Sequence, residues 1–188
     1  MPRICSAVLI AWCLAVSPSV SASIVEPMSF EQLVSGAERI FVGEVIGVES
    51  AWDGDVIRTH VTFRVAETVK GRSSILVRLT FLGGRVGERA LEVSGMPTFV
   101  VGDEHVIFSV EQQKIVSPIV GFWHGQVRVL RDRTTGRSHV LRHDRTPFAR
   151  AAALTQEASP ATAPLRPLAL EAFLADVRQA MRAGRTAR

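Results

Sequence analysis

Hydrophobic positions along the chain read first as helix, then as strand, then as helix again. Phe30, Leu33 and Val34 make a short helical stripe, and Ser29 with Gln32 three residues on forms a capping-box signature. One short helix is predicted there. From Arg39 the period falls to two. "RIFVGEVIGVES" carries Ile40, Val42 and Val48 among apolar neighbours, interrupted by Gly43 and Gly47. Glycines inside a strand mark bulges or tight bends. "AWDGD" supplies an Asp-Gly turn at Asp53-Gly54. In "VIRTHVTFRVAETVKG", Ile57, Thr59, Val61, Phe63 and Val65 alternate with Arg58, His60, Thr62 and Arg64, a half-buried strand.

The alternation continues downstream. "SSILVRLTF" places Ile75, Val77, Leu79 and Phe81 on one face, and "RALEVSG" is a weaker strand with Leu91 and Val93. A loop with Pro97 and Gly102 leads into "HVIFSV", where Val106, Phe108 and Val110 point inward. "KIVSPIVGFWHGQVRVLRD" reads as two short strands broken around Pro118 and Gly121, and "RTTG" turns the chain into "RSHVLRHD". About seven short strands with turn signals every 8–12 residues predict an all-β sandwich or barrel. No strand alternates with a long helix, so a parallel α/β sheet is not expected. Residues 145–166 are rich in Ala, Pro and Thr and read as a linker or a loosely packed strap. Residues 167–184 read as a helix: Leu170, Phe173, Leu174, Val177 and Met181 follow helical spacing, with Pro167 at the start and Gly184 at the end. Its apolar stripe is expected to face the core.

The N-terminus changes the picture of where the chain works. "MPR" supplies positive charge, "ICSAVLIAWCLAV" is an apolar run of thirteen residues, and "SPSVSA" supplies small residues. That order predicts a secretory signal over residues 1–22, cleaved after Ala22. The run is short of the about 20 residues a membrane span needs, so no span is expected after cleavage. Cys5 and Cys13 are the only cysteines, and both fall in that segment. The mature chain is therefore expected to carry no disulfide, thiolate ligand or cysteine nucleophile, and to be held by its core, as a β domain over residues 23–144.

Charge narrows the partner class. The whole chain has a formal net charge of +4. Residues 23–144 hold 14 Lys and Arg against 15 Asp and Glu, whereas residues 145–188 hold 7 Arg against 3 acids. A nucleic-acid-binding domain carries its positive patch on the folded face. Here the excess sits in the tail, so nucleic acid is not an expected partner.

Several short motifs are spaced through the β region: Val42-Gly43-Glu44-Val45, Lys70-Gly71, Gly83-Gly84, the Gly95 to Asp103 loop, and Gly121 to Val129. Together they resemble a group of exported bacterial proteins of uncharacterised function, over roughly residues 28–144 plus the end helix. More remotely, "FVGEVIGVES" followed by "VTFRVAETVKG" is similar to the opening strands of netrin-like and metalloproteinase-inhibitor domains. That resemblance implies a small antiparallel OB-like barrel, here with a short N-terminal helix and a C-terminal helix. Inhibitors of that class ligate the protease zinc through an N-terminal cysteine. A mature chain without cysteine cannot transfer that chemistry.

Motifs that would carry catalysis are missing. Gly83-Gly84-Arg85-Val86-Gly87 has neither phosphate-loop nor dinucleotide spacing, and no Lys-Ser/Thr pair or long helix follows it. It reads as a backbone-bending loop. His139 and His143 would lie about 13 Å apart on a strand, too far for one zinc ion. His60, His105 and His124 complete the histidines, and surface positions are the simplest reading of most of them. No G-x-S-x-G elbow occurs. Asp103 and Glu104 are adjacent, so on a strand they face opposite ways. No cofactor and no metal are expected.

The leading expectation is an exported, non-enzymatic binding module for an extracytoplasmic protein, periplasmic or secreted. Its contact residues are expected on the barrel-end loops, at Trp52, Arg85, Trp123 and His124. The alternative is a binder of oligosaccharide or peptide, with Trp52 and Trp123 as stacking platforms. A hydrolase with an irregular site is the third reading.

Overall fold

The computed structural model describes residues 28–111, 116–156 and 166–186. The signal-like segment 1–22 lies outside the described residues, as does part of the Ala/Pro-rich stretch. Helix α1 (Phe30–Gly36) starts as its sequence requires: the Gln32 amide N–H donates to Ser29 Oγ, and Gln32 Oε1 accepts from the Ser29 N–H. Its apolar residues Phe30, Leu33 and Val34 are buried.

Two 15-residue strands follow, β1 (Arg39–Asp53) and β2 (Val56–Lys70), paired antiparallel with Asp53 opposite Val56. Three register shifts interrupt the pair, at Ile40/Phe41, Val42/Gly43 and Val45/Gly47. Two of them fall on the glycines that the sequence marks as bends, and bulges of this kind increase strand twist. Strand β3 (Leu76–Leu82) pairs with β2. A separate hairpin, β4 (Gly84–Val86) with β5 (Arg89–Leu91), lies against β1 and β2. Strands β6 (Glu104–Ser109), β7 (Gln126–Arg131) and β8 (Ser138–Leu141) extend the sheet from the other edge of β1. The six-stranded order is β3-β2-β1-β6-β7-β8, antiparallel throughout.

Among the described residues the protein is thus mostly β with two helices, and no closed barrel is found. β3 and β8 are the two edges of the sheet. From the β3 side, the end of the strand reaches toward closure through one bond, the Leu82 N–H to the Val116 carbonyl at 2.9 Å. A closed barrel would have a late strand pair with β3. Instead β7 and β8 continue outward, because helices and a short 3₁₀ turn (Ala151–Thr155) cover the face they present. Helix α2 (Leu170–Thr186) is the largest part of that cover, burying Phe173, Leu174 and Val177 against α1, β8 and the 3₁₀ turn.

Two cores result, one on each face. The helix-side core takes Ile40 and Val42 from β1 and Val106 and Phe108 from β6, with Phe30 and Phe173 above them. The opposite core takes Phe41 and Val45 from β1, Ile107 from β6, and Phe63, Leu79 and Phe81 from β2 and β3. β6 and the first half of β1 are therefore buried on both sides. Of the stretch 145–166, expected as a linker or a loosely packed strap, the first part is a packed strap: Phe148, Ala151 and Leu154 are core residues.

Candidate functional site

After β6 the chain returns along it, with Ile119 bridged to Ser109, and then turns sharply before β7. The turn holds "GFWHG", residues 121–125. Gly121 and Phe122 both have left-handed backbones, at φ +64° and +56°. Glycine adopts this region freely, whereas a bulky aromatic pays roughly 1–2 kcal/mol for it. Bonds from the His124 N–H to the Gly121 carbonyl and from the Gln126 N–H to the Trp123 carbonyl, both 3.1 Å, hold the turn. The result is a pair of aromatics facing solvent, with Phe122 52% and Trp123 40% exposed.

Trp123 is nevertheless wedged in place. Its ring lies 5.8 Å from the His124 ring and 5.9 Å from that of His143. Gly95 packs beneath it so closely that an added Cβ would stand 3.1 Å from the indole. These groups form one wall of a groove of about 1060 Å³. Met28, Val116, Ile119 and Leu154 add apolar surface, and Ser94, Ser117, Asp144 and Thr155 add polar points. A mostly apolar concavity with a few polar groups is the usual form of a ligand site.

Arg142 forms part of the lining but is not a free cation. It is 8% exposed and stacks 5.8 Å over the Phe148 ring. Its guanidinium donates to the carbonyls of Ala153, Leu154 and Gln156, tying down the 3₁₀ turn. Burial holds His124 below its usual pKa, assisted by His143 and opposed by a hydrogen bond to the Gly121 backbone. Burial likewise lowers His143, opposed by Asp144 and assisted by Arg142. Both imidazoles are neutral at pH 7, so the wall around Trp123 presents flat, uncharged rings. Among the described residues, no three His, Cys, Asp or Glu side chains are grouped to hold a metal ion.

Trp123 and His124, of the four residues marked in the sequence, line this groove together. Trp52, 48% exposed at the hairpin end of β1, lines a second depression. Arg85, exposed on β4, lines neither. Sequence reasoning missed His143 and Arg142, which reach Trp123 and the groove from a turn about twenty residues away. It also missed Phe122, although an aromatic pair boxed between Gly121 and Gly125 was a legible signal. No family model, curated protein or solved structure matches the chain.

Proposed function

We propose that the protein is an exported, non-catalytic binding module that docks an apolar segment of an extracytoplasmic protein in the groove beside Trp123. The observation that carries this reading is the exposed Phe122–Trp123 pair on a strained left-handed turn. Backbone strain of this kind persists where surrounding structure over-determines it, and it clusters at functional sites. Half-exposed aromatics beside an apolar groove are the anchors that dominate protein interfaces. The signal-like N-terminus supports export, and the resemblance to exported bacterial proteins agrees with it. An opened OB-like barrel is the proposed ancestry of the sheet. The long, bent β1 that pairs with both β2 and β6, and the Leu82–Val116 bond, support it.

Peptide arrays probed with the mature domain test the reading. Peptides rich in apolar side chains are expected to bind and to shift tryptophan emission. Trp123→Ser is expected to weaken binding about 30-fold, equivalent to about 2 kcal/mol, at a temperature where circular dichroism shows the variant still folded. Equal peptide binding by the variant would sink the groove as the contact site. A response to neutral oligosaccharides and none to peptides would select the saccharide-binding alternative instead.

A further inference from the structure

The aromatic groove holds a charge that its own walls do not neutralise. Arg142 stands one residue past β8 and two after the core residue Val140, so alternation turns its side chain inward. It is only 8% exposed, yet it lines the groove. Its Nε donates to the Leu154 carbonyl, and its Nη2 donates to those of Ala153 and Gln156. Nη1 has no acceptor among the described residues and is not sealed from solvent. Nor does any carboxylate of the described residues form an ion pair with this guanidinium. Asp144, the acid of the lining, is two residues on, where its Oδ1 accepts the Thr146 N–H at 2.8 Å. Carbonyl dipoles hold a guanidinium in place without cancelling its charge. A buried charge in that state is costly, and an anionic partner offsets the cost.

We infer that the groove receives the C-terminal end of a peptide, with the terminal carboxylate on Arg142 Nη1 and the last apolar side chains against Trp123, Ile119 and Leu154. The inference rests on the reading of this groove as a peptide-docking site, and it names the part of the peptide that docks. Hydrogen bonds from a guanidinium to a carboxylate are shorter and stronger than neutral ones. Only the Nη1 side of this guanidinium is open. A chain end needs room on one side of the contact, whereas a chain passing through needs it on two. A fatty acid also joins an apolar body to a carboxylate. Ser94, Ser117 and Gln156, however, set polar groups along the same lining. A hydrocarbon would desolvate them without replacing their hydrogen bonds, and a peptide backbone can replace them.

Calorimetric titration with one apolar hexapeptide, acetyl-Ala-Ala-Val-Ala-Leu-Phe, as the free acid and as the C-terminal amide, tests this. The free acid is expected to bind about tenfold tighter, the step that one charge-assisted hydrogen bond supplies. Arg142→Gln should bring the two forms to equal affinity, and the ratio is read within one variant, so loosening of the 3₁₀ turn affects both forms. Asp144→Asn keeps an acceptor for the Thr146 N–H. It should strengthen binding of the free acid about threefold, by removing a nearby like charge, and leave the amide unchanged. That variant and the acid-to-amide ratio of the intact protein decide the matter if Arg142→Gln does not fold. Trp123→Ser should weaken both forms alike. Equal binding of acid and amide, with both weakened by Trp123→Ser, would overturn the inference and leave the peptide groove standing. So would an amidated peptide with an internal glutamate that binds as tightly as the free acid, or decanoate that binds more tightly. Binding of neither form, or binding untouched by Trp123→Ser, would overturn the groove reading and this inference with it.

Discussion

His105 shows what one residue can reveal about the layers around it. It is fully buried, with its ring 5.4 Å from that of Phe99, and neither ring nitrogen has a hydrogen-bond partner. Burial pushes its pKa down to about 4, with Arg128 assisting and Asp103 opposing. The consequence for stability has a definite sign. Below about pH 6.5 the unfolded chain takes up a proton that the folded chain refuses until about pH 4. Stability therefore falls as pH drops through that window and levels off below it, by about 3 kcal/mol in total from this residue. His105→Leu should raise the urea midpoint at pH 5 and flatten this dependence, because it replaces an unsatisfied polar ring with an apolar side chain. An unchanged acid profile in the variant would refute the assignment. From sequence, His105 reads as a surface histidine, because only Val106 and Phe108 of its strand point to an obvious core. The alternation is correct, and Val106 and Phe108 do face the helices. What it could not reveal is that the opposite face of β6 is covered too, which depends on β2 and β3 folding over it.

Elements explain the short motifs of the β region better than chemistry does. Lys70 donates from Nζ to the carbonyls of Val34 and Ser35, so the lysine of the Lys-Gly pair caps the end of α1. Phe99, inside the Gly95 to Asp103 loop, fills the core between Phe63 and Phe81. Asp103 receives both guanidinium nitrogens of Arg128, at 3.1 and 2.6 Å. Gly83-Gly84 lets the chain leave β3 and fold the β4–β5 hairpin back over the sheet. At Gly84, φ is +133° and an added Cβ would overlap Ser50 Oγ and Thr59 Oγ1. Gly84→Ala is therefore expected to cost about 2–3 kcal/mol in denaturant unfolding, and a neutral result would show that the corner can relax. The corner was legible as a bend because neither its spacing nor its sequel suits a phosphate. The β4–β5 pairing was not, since three-residue strands carry too little alternation to register. The C-terminal helix was read to within a few residues, because a long amphipathic period is a strong local signal.

At the scale of the molecule, the two cores share a spine. β1 and β6 donate alternate residues to each, so neither core can melt without exposing the back of the other. Phe173→Ala strikes the helix side, where that ring meets Phe30, Phe108 and Phe148. Phe63→Ala strikes the other side, where the ring meets Phe41 and Phe99. Each is expected to cost about 3–5 kcal/mol and to lower one common transition, as cooperative unfolding requires. Two separable transitions in either variant would show that the faces fold independently. The failure to close was beyond the sequence for a related reason: strand count and alternation are the same for an open sheet and a barrel. Which edge strand finds a partner depends on what covers the faces, and those contacts span most of the chain. The placement of that cover also sets an order in time. α2 follows every strand, so synthesis completes the whole sheet before the helix that buries Phe173 exists. Until then Val106, Phe108 and Val140 have only the cover that α1 and the 3₁₀ turn supply. A chain shortened before α2 therefore keeps every described strand yet bares the Phe108 and Phe148 rings that Phe173 covers.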